Sequence, residues 1–360
     1  MTRMEISPEA VEAIKKFQID DTSNLGFGKY VAPIMILAHY KDGSWGPLKL
    51  VPYGPFSIDP CAKILHYAQE IFEGMKAYAA PHGGINLFRP EQNARRFNFS
   101  ARRMAMPEFP ERSFLDAVSL LSSYCHRIVP RRLGESLYLR PFMFASEVGL
   151  GIKPAKEFIF CVVASPSGNY FTASNVKVYV EREEIRAAPG GTGAAKTGGN
   201  YAASLHSYAA TLKEECDQTM WLDAVDHSYV EEMSGMNFFA VINDTLTTPP
   251  LSDTILDGVT RRSLIDLARA KHWKVAEERI HIDRLMEQVK TGACTEAFMC
   301  GTASVVVRVA SFKFKDGSVY HLRDSEGKKS LELKEALIAI QGGREEAPAG
   351  WVYPVKAVEF

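Results

Sequence analysis

Short apolar runs bounded by turn residues alternate along this chain with segments of helical periodicity. A continuous or alternating apolar run predicts a strand, whereas apolar residues spaced three and four apart predict a helix. In the first half, this pattern predicts strands at 30–40, 85–89, 136–145 and 157–166 and helices at 91–104 and 113–129. The first half should therefore be a mixed α and β structure.

The second half continues the mixture. A helix is predicted at 200–215, with Tyr201, Leu205, Tyr208 and Leu212 on one face. The other predicted elements are strands at 176–182, 218–224, 238–243, 245–248 and 274–279, helices at 259–272 and 283–291, and a strand region at 296–314.

The length of 360 residues is sufficient for two domains of ordinary size, and the 46% hydrophobic content can fill two cores. A polar stretch at 166–175 interrupts the apolar pattern and indicates the boundary. We therefore expect a smaller N-terminal α/β domain at 1–169, an interdomain loop at 170–178 and a larger C-terminal domain at 179–360.

Charge and cysteine content exclude several classes of protein. The 42 basic and 43 acidic residues nearly balance, so neither a nucleic-acid surface nor an acidic-membrane surface is indicated. The six cysteines lack C-x-x-C spacing, which favours reduced thiols in a cytosol, and no metal site is predicted. Because the chain shows neither a signal peptide nor an apolar run of membrane-spanning length, we expect a soluble cytoplasmic protein.

The segment GGTGAAKTGGNY (190–201) surrounds Lys196 with five glycines. A phosphate-binding loop of nucleotide hydrolases requires G-x-x-x-x-G-K-[ST], and Gly190, Lys196 and Thr197 fit, but Ala195 replaces the second glycine. Alternatively, Lys196 is a nucleophilic amine that forms a Schiff base, which partial desolvation would favour. A solvated loop lysine fits the local composition equally well.

Two further segments could carry chemistry. Gly258 precedes a helix whose first turn contains Val259 and Thr260, where free amides attract phosphate or carboxylate, although an ordinary helix start is the simpler interpretation. EEMSGMN (231–237) places an acidic pair before an apolar run, so one carboxylate should enter the strand layer. A buried carboxylate requires a cationic or hydrogen-bonding partner, and a protonated heterocyclic nitrogen would serve.

Three weaker candidates have ordinary structural alternatives. Arg96 could point inward to an anion or remain solvated. The turn at Gly301–Thr302 could bind an anion or be a strand kink. Tyr138 and Arg140 alternate on one side of a predicted strand and could bind a carboxylate or form an edge-strand ion pair.

Taken together and in order, seven blocks of the sequence closely resemble the branched-chain amino acid aminotransferases, a family of fold-type IV pyridoxal-phosphate enzymes. The blocks are HYAQEIFEGMKAY (66–78), LFRPEQNARRF (87–97), LYLRP (137–141), AKTGGNY (195–201), EEMSGMNFF (231–239), TPPLSDTILDGVTR (248–261) and CGTA (300–303). The resemblance implies a two-domain mixed α/β fold of fold-type IV, with the lysine in the larger C-terminal domain.

The resemblance also implies a cofactor, pyridoxal 5'-phosphate, and roles for individual residues. Lys196 would be the catalytic residue, binding the cofactor through an imine and then moving a proton. Glu232 would pair with the pyridine nitrogen and keep it protonated, so that the ring accepts carbanion electrons. Tyr201 would bond the ring O3′. The phosphate would be held by Arg96, Val259, Thr260 and Thr302.

For the substrate, the resemblance points to branched-chain L-amino acids (leucine, isoleucine and valine) and 2-oxoglutarate, as in amino-acid biosynthesis. The α-carboxylate would meet Tyr138, Thr302 and Ala303, and Arg140 would reach the distal carboxylate of glutamate. The remaining pocket residues implied are Tyr67, Phe72, Tyr170 and, from a second subunit, Leu150 and Ile152. The active form should therefore be a homodimer or a higher homo-oligomer.

One departure is informative: Ser304 and Val307 occupy the places of a redox C-x-x-C found in some relatives, so a thiol switch is not expected there. Glu73 and Lys76 are expected to be structural.

The alternatives to a branched-chain amino acid aminotransferase are a D-amino acid aminotransferase or an aminodeoxychorismate lyase of the same fold, and, from a different class, a nucleotide-binding protein with a degenerate phosphate loop.

Overall fold

The computed structural model describes residues 3–81, 83–168, 175–323 and 327–359. The chain forms two compact units. One comprises Met1–Tyr170 with Ala195–Gly198 and Ile338–Phe360, and the other comprises Phe171–Ala194 with Gly199–Leu337. Lys196 thus groups with the first unit, and the domain limits 1–169, 170–178 and 179–360 stay a prediction. Tyr170 and the first part of the expected interdomain loop lie outside the described residues.

The strands are β1 (Met4–Ile6), β2 (Ile34–Lys41), β3 (Ser44–Trp45), β4 (Leu48–Pro52), β5 (Glu70–Phe72), β6 (Met75–Ala79), β7 (Ile85–Phe88), β8 (Ser136–Ala145), β9 (Phe158–Ser167), β10 (Asn175–Glu181), β11 (Gln218–Leu222), β12 (Tyr229–Met233), β13 (Met236–Ile242), β14 (Thr245–Thr248), β15 (Val275–Glu277), β16 (Ile280–His281), β17 (Cys294–Gly301), β18 (Val305–Lys313), β19 (Val319–His321) and β20 (Val352–Val355). The helices are α1 (Pro8–Lys16), α2 (Lys63–Tyr67), α3 (Pro90–Arg103), α4 (Glu111–Tyr124), α5 (Gly198–Ala202), α6 (Leu205–Lys213), α7 (Val259–Ala270), α8 (Ile282–Thr291) and α9 (Lys328–Gln341), and a 3-10 helix follows α4 at His126–Ile128.

The first unit is built on a sheet with the strand order β1-β4-β2-β9-β8-β6-β7-β20. The long pair β8 and β9 is antiparallel from Ser136 opposite Ser167 to Ala145 opposite Phe158. Helix α4 packs on β2 and β9, and α3 packs on α4. Aromatic side chains fill the layer between helices and sheet, where the Phe109 and Phe160 rings stack with centroids 3.9 Å apart.

Helix α3 shows how the sequence specifies a local element. Ala94, Phe97 and Ala101, spaced three and four residues apart, are buried along one face, in agreement with the helix predicted at 91–104. Pro90 occupies the first turn, where a missing amide hydrogen costs nothing. The Asn98 amide side chain donates to the Phe109 carbonyl at 2.9 Å and accepts from the Phe109 amide at 2.9 Å, which fixes the loop after the helix.

The second unit contains a sheet with the strand order β15-β14-β13-β17-β18-β10-β11-β12-β16. An additional pairing between β12 and β13 closes the strands from β13 to β12 into a barrel. Parallel pairs occur where β10 meets β11 and β18. Alternate residues of the strands, such as Val176, Val178 and Val180 of β10, pack into one buried apolar cluster, as expected where side chains fill a barrel.

Most strands predicted from apolar runs are confirmed, as are the helices α3, α4, α7 and α8. The single helix at 200–215 is wrong: it is two short helices, with a turn at Ala203 and Ser204. Ser204 donates its hydroxyl to the Tyr201 carbonyl at 2.7 Å, a local bond that competes with helix continuation. Leu205 and Leu212 do share a face, but that face is exposed. Strand β12 was not predicted.

None of the helices in the described ranges combines the length and apolar character that crossing a bilayer requires.

Candidate active site

The main chain at Lys196 is held on both sides within the first unit. Its amide donates to Ser100 Oγ at 2.9 Å, and its carbonyl accepts from the Phe72 amide at 3.0 Å. The half-buried side chain carries Nζ to 4.7 Å from the centroid of the Phe72 ring. The aromatic face and the partial burial place this amine in an environment unlike that of a fully solvated lysine.

Glu70 fixes the residues that follow Lys196. Thr197 is buried and donates its hydroxyl to the Glu70 carbonyl at 2.7 Å, while the Gly198 amide donates to the Glu70 carboxylate. A Cβ on Gly198 would approach Glu70 Oε1 to 2.5 Å, so a larger residue at this position would displace the end of the Glu70 side chain. Burial raises the pKa of Glu70, although both hydrogen bonds and the nearby Arg140 charge favour its charged form.

The part of the glycine-rich loop that belongs to the second unit is tied to the segment at Asp253–Thr254. The Gly190 amide donates to Asp253 Oδ2 at 2.6 Å, and the Ala194 amide donates to the Asp253 carbonyl at 2.9 Å. At Gly193, an added Cβ would lie 2.7 Å from the Thr254 Cα. Here glycine permits two backbones to approach closely.

Glu232 is the carboxylate of the acidic pair that enters the barrel strands. It lies on β12 and is 3% exposed. Its Oε1 is 3.0 Å from Arg186 Nη2, and its Oε2 accepts from Asn237 Nδ2 and from the Leu256 amide, each at 3.2 Å. The sequence predicted a cationic or hydrogen-bonding partner for the buried carboxylate, and Glu232 has both kinds, but it did not predict that the cation is Arg186. The sequence carries no spacing signal for it, because this arginine precedes the glycine-rich loop without a recognisable motif.

Glu231, the other member of the pair, is also buried. Its Oε1 accepts from the Thr254 hydroxyl at 2.5 Å, and Oε2 has no hydrogen-bond partner among the described residues. Burial raises the pKa of Glu231, although the Thr254 hydroxyl and the Arg186 charge act in the opposite direction. The two neighbouring carboxylates therefore have different partners: a direct guanidinium contact for Glu232 and a hydroxyl for Glu231.

Helix α7 begins at Val259, as predicted, and its N-cap Gly258 provides no side-chain hydrogen bond to the first turn. The amides of Val259 and Thr260 therefore lie at a helix start where an anion can bind. A Cβ on Gly258 would overlap Asn237 Oδ1, and Asn237 also contacts Glu232. The helix start and the buried carboxylate are thus connected through one side chain.

The turn predicted at Gly301–Thr302 is confirmed between β17 and β18, and Thr302 and Ala303 are half-buried within it. The next strand starts at Val305 with φ of 62°. A β-branched residue is strained by about 1–3 kcal/mol in this left-handed region. Strain of this kind is common where a turn is shaped for binding.

Tyr201 lies on α5, and its ring carbon Cε1 would be 3.5 Å from a Cβ placed on Gly235. Gly235 forms the turn between β12 and β13, the hairpin that carries Glu232. The second unit therefore brings the Tyr201 ring close to the Glu232 hairpin.

Arg96 points inward, whereas its neighbour Arg95 is exposed. Arg96 Nε and Nη2 each donate to the fully buried Glu73 carboxylate at 2.7 Å, and Asn93 Nδ2 donates to the same group at 2.8 Å. The solvated alternative for Arg96 is wrong. Its role toward phosphate stays a prediction, since the described contact is a bidentate pair with an acid.

The predicted substrate residues Phe72, Tyr138 and Arg140 come together in the first unit. Arg140 Nη2 donates to the Tyr138 hydroxyl at 3.0 Å, and its guanidinium carbon is 4.7 Å from the Phe72 ring centroid. Tyr138 and Arg140 lie on β8, which pairs with β9 on one side and with β6 on the other, so the edge-strand alternative is wrong.

The Tyr67 hydroxyl donates to the Leu150 carbonyl, and Ile152 is 89% exposed. Tyr170 lies outside the described residues.

Comparison with known proteins then decides the family. The sequence profile of the family described as amino-transferase class IV matches residues 70–312. A probable branched-chain-amino-acid aminotransferase of Streptomyces coelicolor is 42% identical over 97% of this chain and 98% of its own length. The chain belongs to the branched-chain amino acid aminotransferase family. A branched-chain-amino-acid aminotransferase of Mycolicibacterium smegmatis is 44% identical over 92% of each chain.

The fold of this aminotransferase is also that of solved family members. A crystal structure of a branched-chain aminotransferase from the thermophilic archaeon Thermoproteus uzoniensis, described with norvaline, superposes with a TM-score of 0.74 at 25% identity, covering 89% of this chain and 99% of the other. The predicted family and the predicted fold-type IV architecture are therefore confirmed. The nucleotide-binding alternative and the other two activities of the fold are not favoured.

Proposed function

We propose that this aminotransferase transfers amino groups between the branched-chain L-amino acids leucine, isoleucine and valine and 2-oxoglutarate, with pyridoxal 5'-phosphate bound at Lys196. The observation that carries the proposal is the placement of the Lys196 amine over the Phe72 ring by a main chain that is hydrogen-bonded on both sides. The named activity of relatives that are 42–44% identical supports the choice of substrates.

The donor groups present fit a phosphorylated pyridine. Glu232 is a buried carboxylate suited to a protonated ring nitrogen, and the α7 start, without a side-chain cap, is suited to phosphate. The residues that we propose for holding the cofactor are Lys196, Glu232, Tyr201, Arg96, Val259, Thr260 and Thr302. When bound, pyridoxal 5'-phosphate supplies an electron sink for the carbon that loses its proton.

The chain's own residues then have separate tasks. Lys196 would hold the cofactor covalently through its Nζ, and its free amine would take up the proton that leaves the substrate Cα. The negative charge of Glu232 favours a proton on the ring nitrogen. Tyr201 orients the ring by a hydrogen bond.

Substrate recognition is proposed to combine aromatic walls with one cation. Arg140 lies between the Phe72 and Tyr138 rings, 4.7 and 5.4 Å from their centroids. A pocket of this kind can accept an aliphatic side chain against the rings and a distal carboxylate at the guanidinium. Tyr138, Thr302 and Ala303 would bind the α-carboxylate, and Tyr67, Phe72 and Tyr170 would contact the side chain.

We also propose that the active form is a homodimer, or a higher homo-oligomer, in the cytoplasm. Ile152 and Leu150 are 89% and 59% exposed in the described chain. Large apolar side chains at such exposure are suited to a contact with a second copy. The two exposed residues would then reach the neighbouring copy's pocket.

The test measures glutamate formed by the purified holoenzyme from 2-oxoglutarate with leucine, isoleucine, valine or D-alanine as amino donor. We expect turnover with the three branched-chain L-amino acids and a yellow absorbance band that changes when leucine is added. Lys196→Ala should abolish both. The exposed Lys213→Ala serves as the matched control and should retain both.

Turnover of D-alanine without leucine would reject the proposed substrate. Full activity of Lys196→Ala would reject the proposed role of the lysine.

A further inference from the structure

Arg186 and Glu232 form an ion pair that is nearly inaccessible to solvent. Their closest atoms, Arg186 Nη2 and Glu232 Oε1, are 3.0 Å apart, and their side chains are 7% and 4% exposed. The resemblance of the sequence blocks to the aminotransferases gives Arg186 no role. Because burying two charges is costly, an arginine at this depth calls for an explanation.

The guanidinium is held by backbone as well as by the acid. Arg186 Nη2 donates to the Thr254 carbonyl and, at 3.4 Å, to the Gly193 carbonyl. Gly193 is the residue at which the glycine-rich loop packs on Thr254. Arg186 therefore connects the base of this loop to the carboxylate on β12, all within the second unit.

Glu231 shows what this environment does to a carboxylate without a direct arginine contact. It is buried on the same strand and bonds a hydroxyl, and burial raises its pKa. A buried acid that takes up a proton is neutral and cannot favour a cation on a neighbouring ring. A guanidinium in direct contact opposes this tendency, since it stabilises the charged form.

We propose that Arg186 is a positioning residue that keeps Glu232 ionised and orients its carboxylate toward the pyridine nitrogen of the cofactor. This inference depends on the proposed function, because it requires a bound pyridine ring. The proton is shared between two bases, the Glu232 carboxylate and the ring nitrogen. With Arg186 in contact, the acid stays deprotonated and the ring nitrogen keeps the proton.

The test compares the holoenzyme with Arg186→Met and Arg186→Lys, loaded with cofactor that carries ¹⁵N at the ring nitrogen. The ¹⁵N chemical shift reports directly whether that nitrogen is protonated. Arg186→Met should shift the signal toward the unprotonated form and lower kcat by about 10- to 100-fold, by analogy with the range seen when a partner that orients a metal ligand is removed. Arg186→Lys keeps the charge and should restore the protonated signal and part of kcat.

Arg182→Met is the matched control, since Arg182 lies four residues away and pairs on the surface with Asp283. It should leave the ¹⁵N signal and kcat unchanged.

If Arg186→Met gives the same signal of a protonated ring nitrogen as the wild type, the proposal is overturned, whatever the effect on rate. If the wild-type protein carries no ring cofactor, the proposed function itself fails, and the two failures are thereby distinguished. If Arg186→Met does not fold, the folded Arg186→Lys variant provides the test. An unprotonated ring nitrogen in Arg186→Lys would also refute the proposal, because this variant keeps the positive charge.

Discussion

Replacing Glu73 by glutamine should destabilise the first unit strongly, because Glu73 carries the charge that compensates Arg96. Glu73 is fully buried, and Arg96 is 9% exposed. Two guanidinium atoms donate to the carboxylate at 2.7 Å each, and Asn93 donates at 2.8 Å. Glutamine keeps the shape of the side chain but turns one acceptor oxygen into a donor that faces other donors.

The expected cost follows from this geometry. Breaking a buried ion pair from one side leaves the other charge without compensation, which costs about 3–5 kcal/mol. The loss of one or two charge-assisted hydrogen bonds, at about 1.5–3 kcal/mol each, is of the same order. We therefore expect Glu73→Gln to lower the free energy of unfolding of the unit by about 3–5 kcal/mol.

The assay is urea unfolding of cofactor-free protein, so that weaker cofactor binding cannot contribute to the measured difference. Glu12→Gln, which removes an exposed pair with Lys16 on α1, is the control and should leave the midpoint unchanged. The double variant Glu73→Gln/Arg96→Gln should be no less stable than the single variant, since the uncompensated cation is also gone. A loss below about 1 kcal/mol in Glu73→Gln would show that the pair contributes no more than a surface salt bridge and that Glu73 does not compensate a buried charge.

Two further outcomes test the second unit. Gly193→Ala should lower the free energy of unfolding by about 1–3 kcal/mol and weaken cofactor binding, because its Cβ would lie 2.7 Å from the Thr254 Cα. Gly199→Ala is the control and should be tolerated, since its Cβ would meet nothing within 4 Å. Equal urea midpoints for the two variants would contradict this. Burial opposes ionisation of Glu277, yet the Arg261 guanidinium at 2.9 Å holds its pKa below the usual value. A carboxyl group whose pKa is lower in the folded than in the unfolded protein stabilises the fold above its unfolded-state pKa, and this contribution is lost as the pH falls through its folded-state pKa. Between about pH 5 and pH 3 the wild type should therefore lose more stability than Glu277→Gln. Equal loss of thermal stability in the two proteins on acidification would exclude this contribution.

Local structure was largely predictable because its causes are local. The spacing of Ala94, Phe97 and Ala101 predicted α3, and Gly258 before Val259 predicted the start of α7; both are confirmed. Such signals act over one or two helical turns and need no information about distant residues.

Helix α6 shows where local reasoning fails. The spacing of Leu205, Tyr208 and Leu212 indicates one face, and they do share it, but their exposed fractions are 62%, 36% and 53%. Periodicity identifies which residues lie together on a helix, whereas the packing of other elements decides whether that face is covered.

The amino-acid order alone was enough to predict the mixed α/β composition, the glycine-rich loop around Lys196 and a cationic or hydrogen-bonding partner for a buried acid. That Arg186 is the cation beside Glu232, and that Arg96 points inward to Glu73, became clear only from the folded chain. The difference arises from the distance along the chain over which each effect acts. Backbone conformation and periodicity follow from neighbouring residues, but the partner of a buried charge is chosen by the folded chain, which brings together side chains that are distant in sequence.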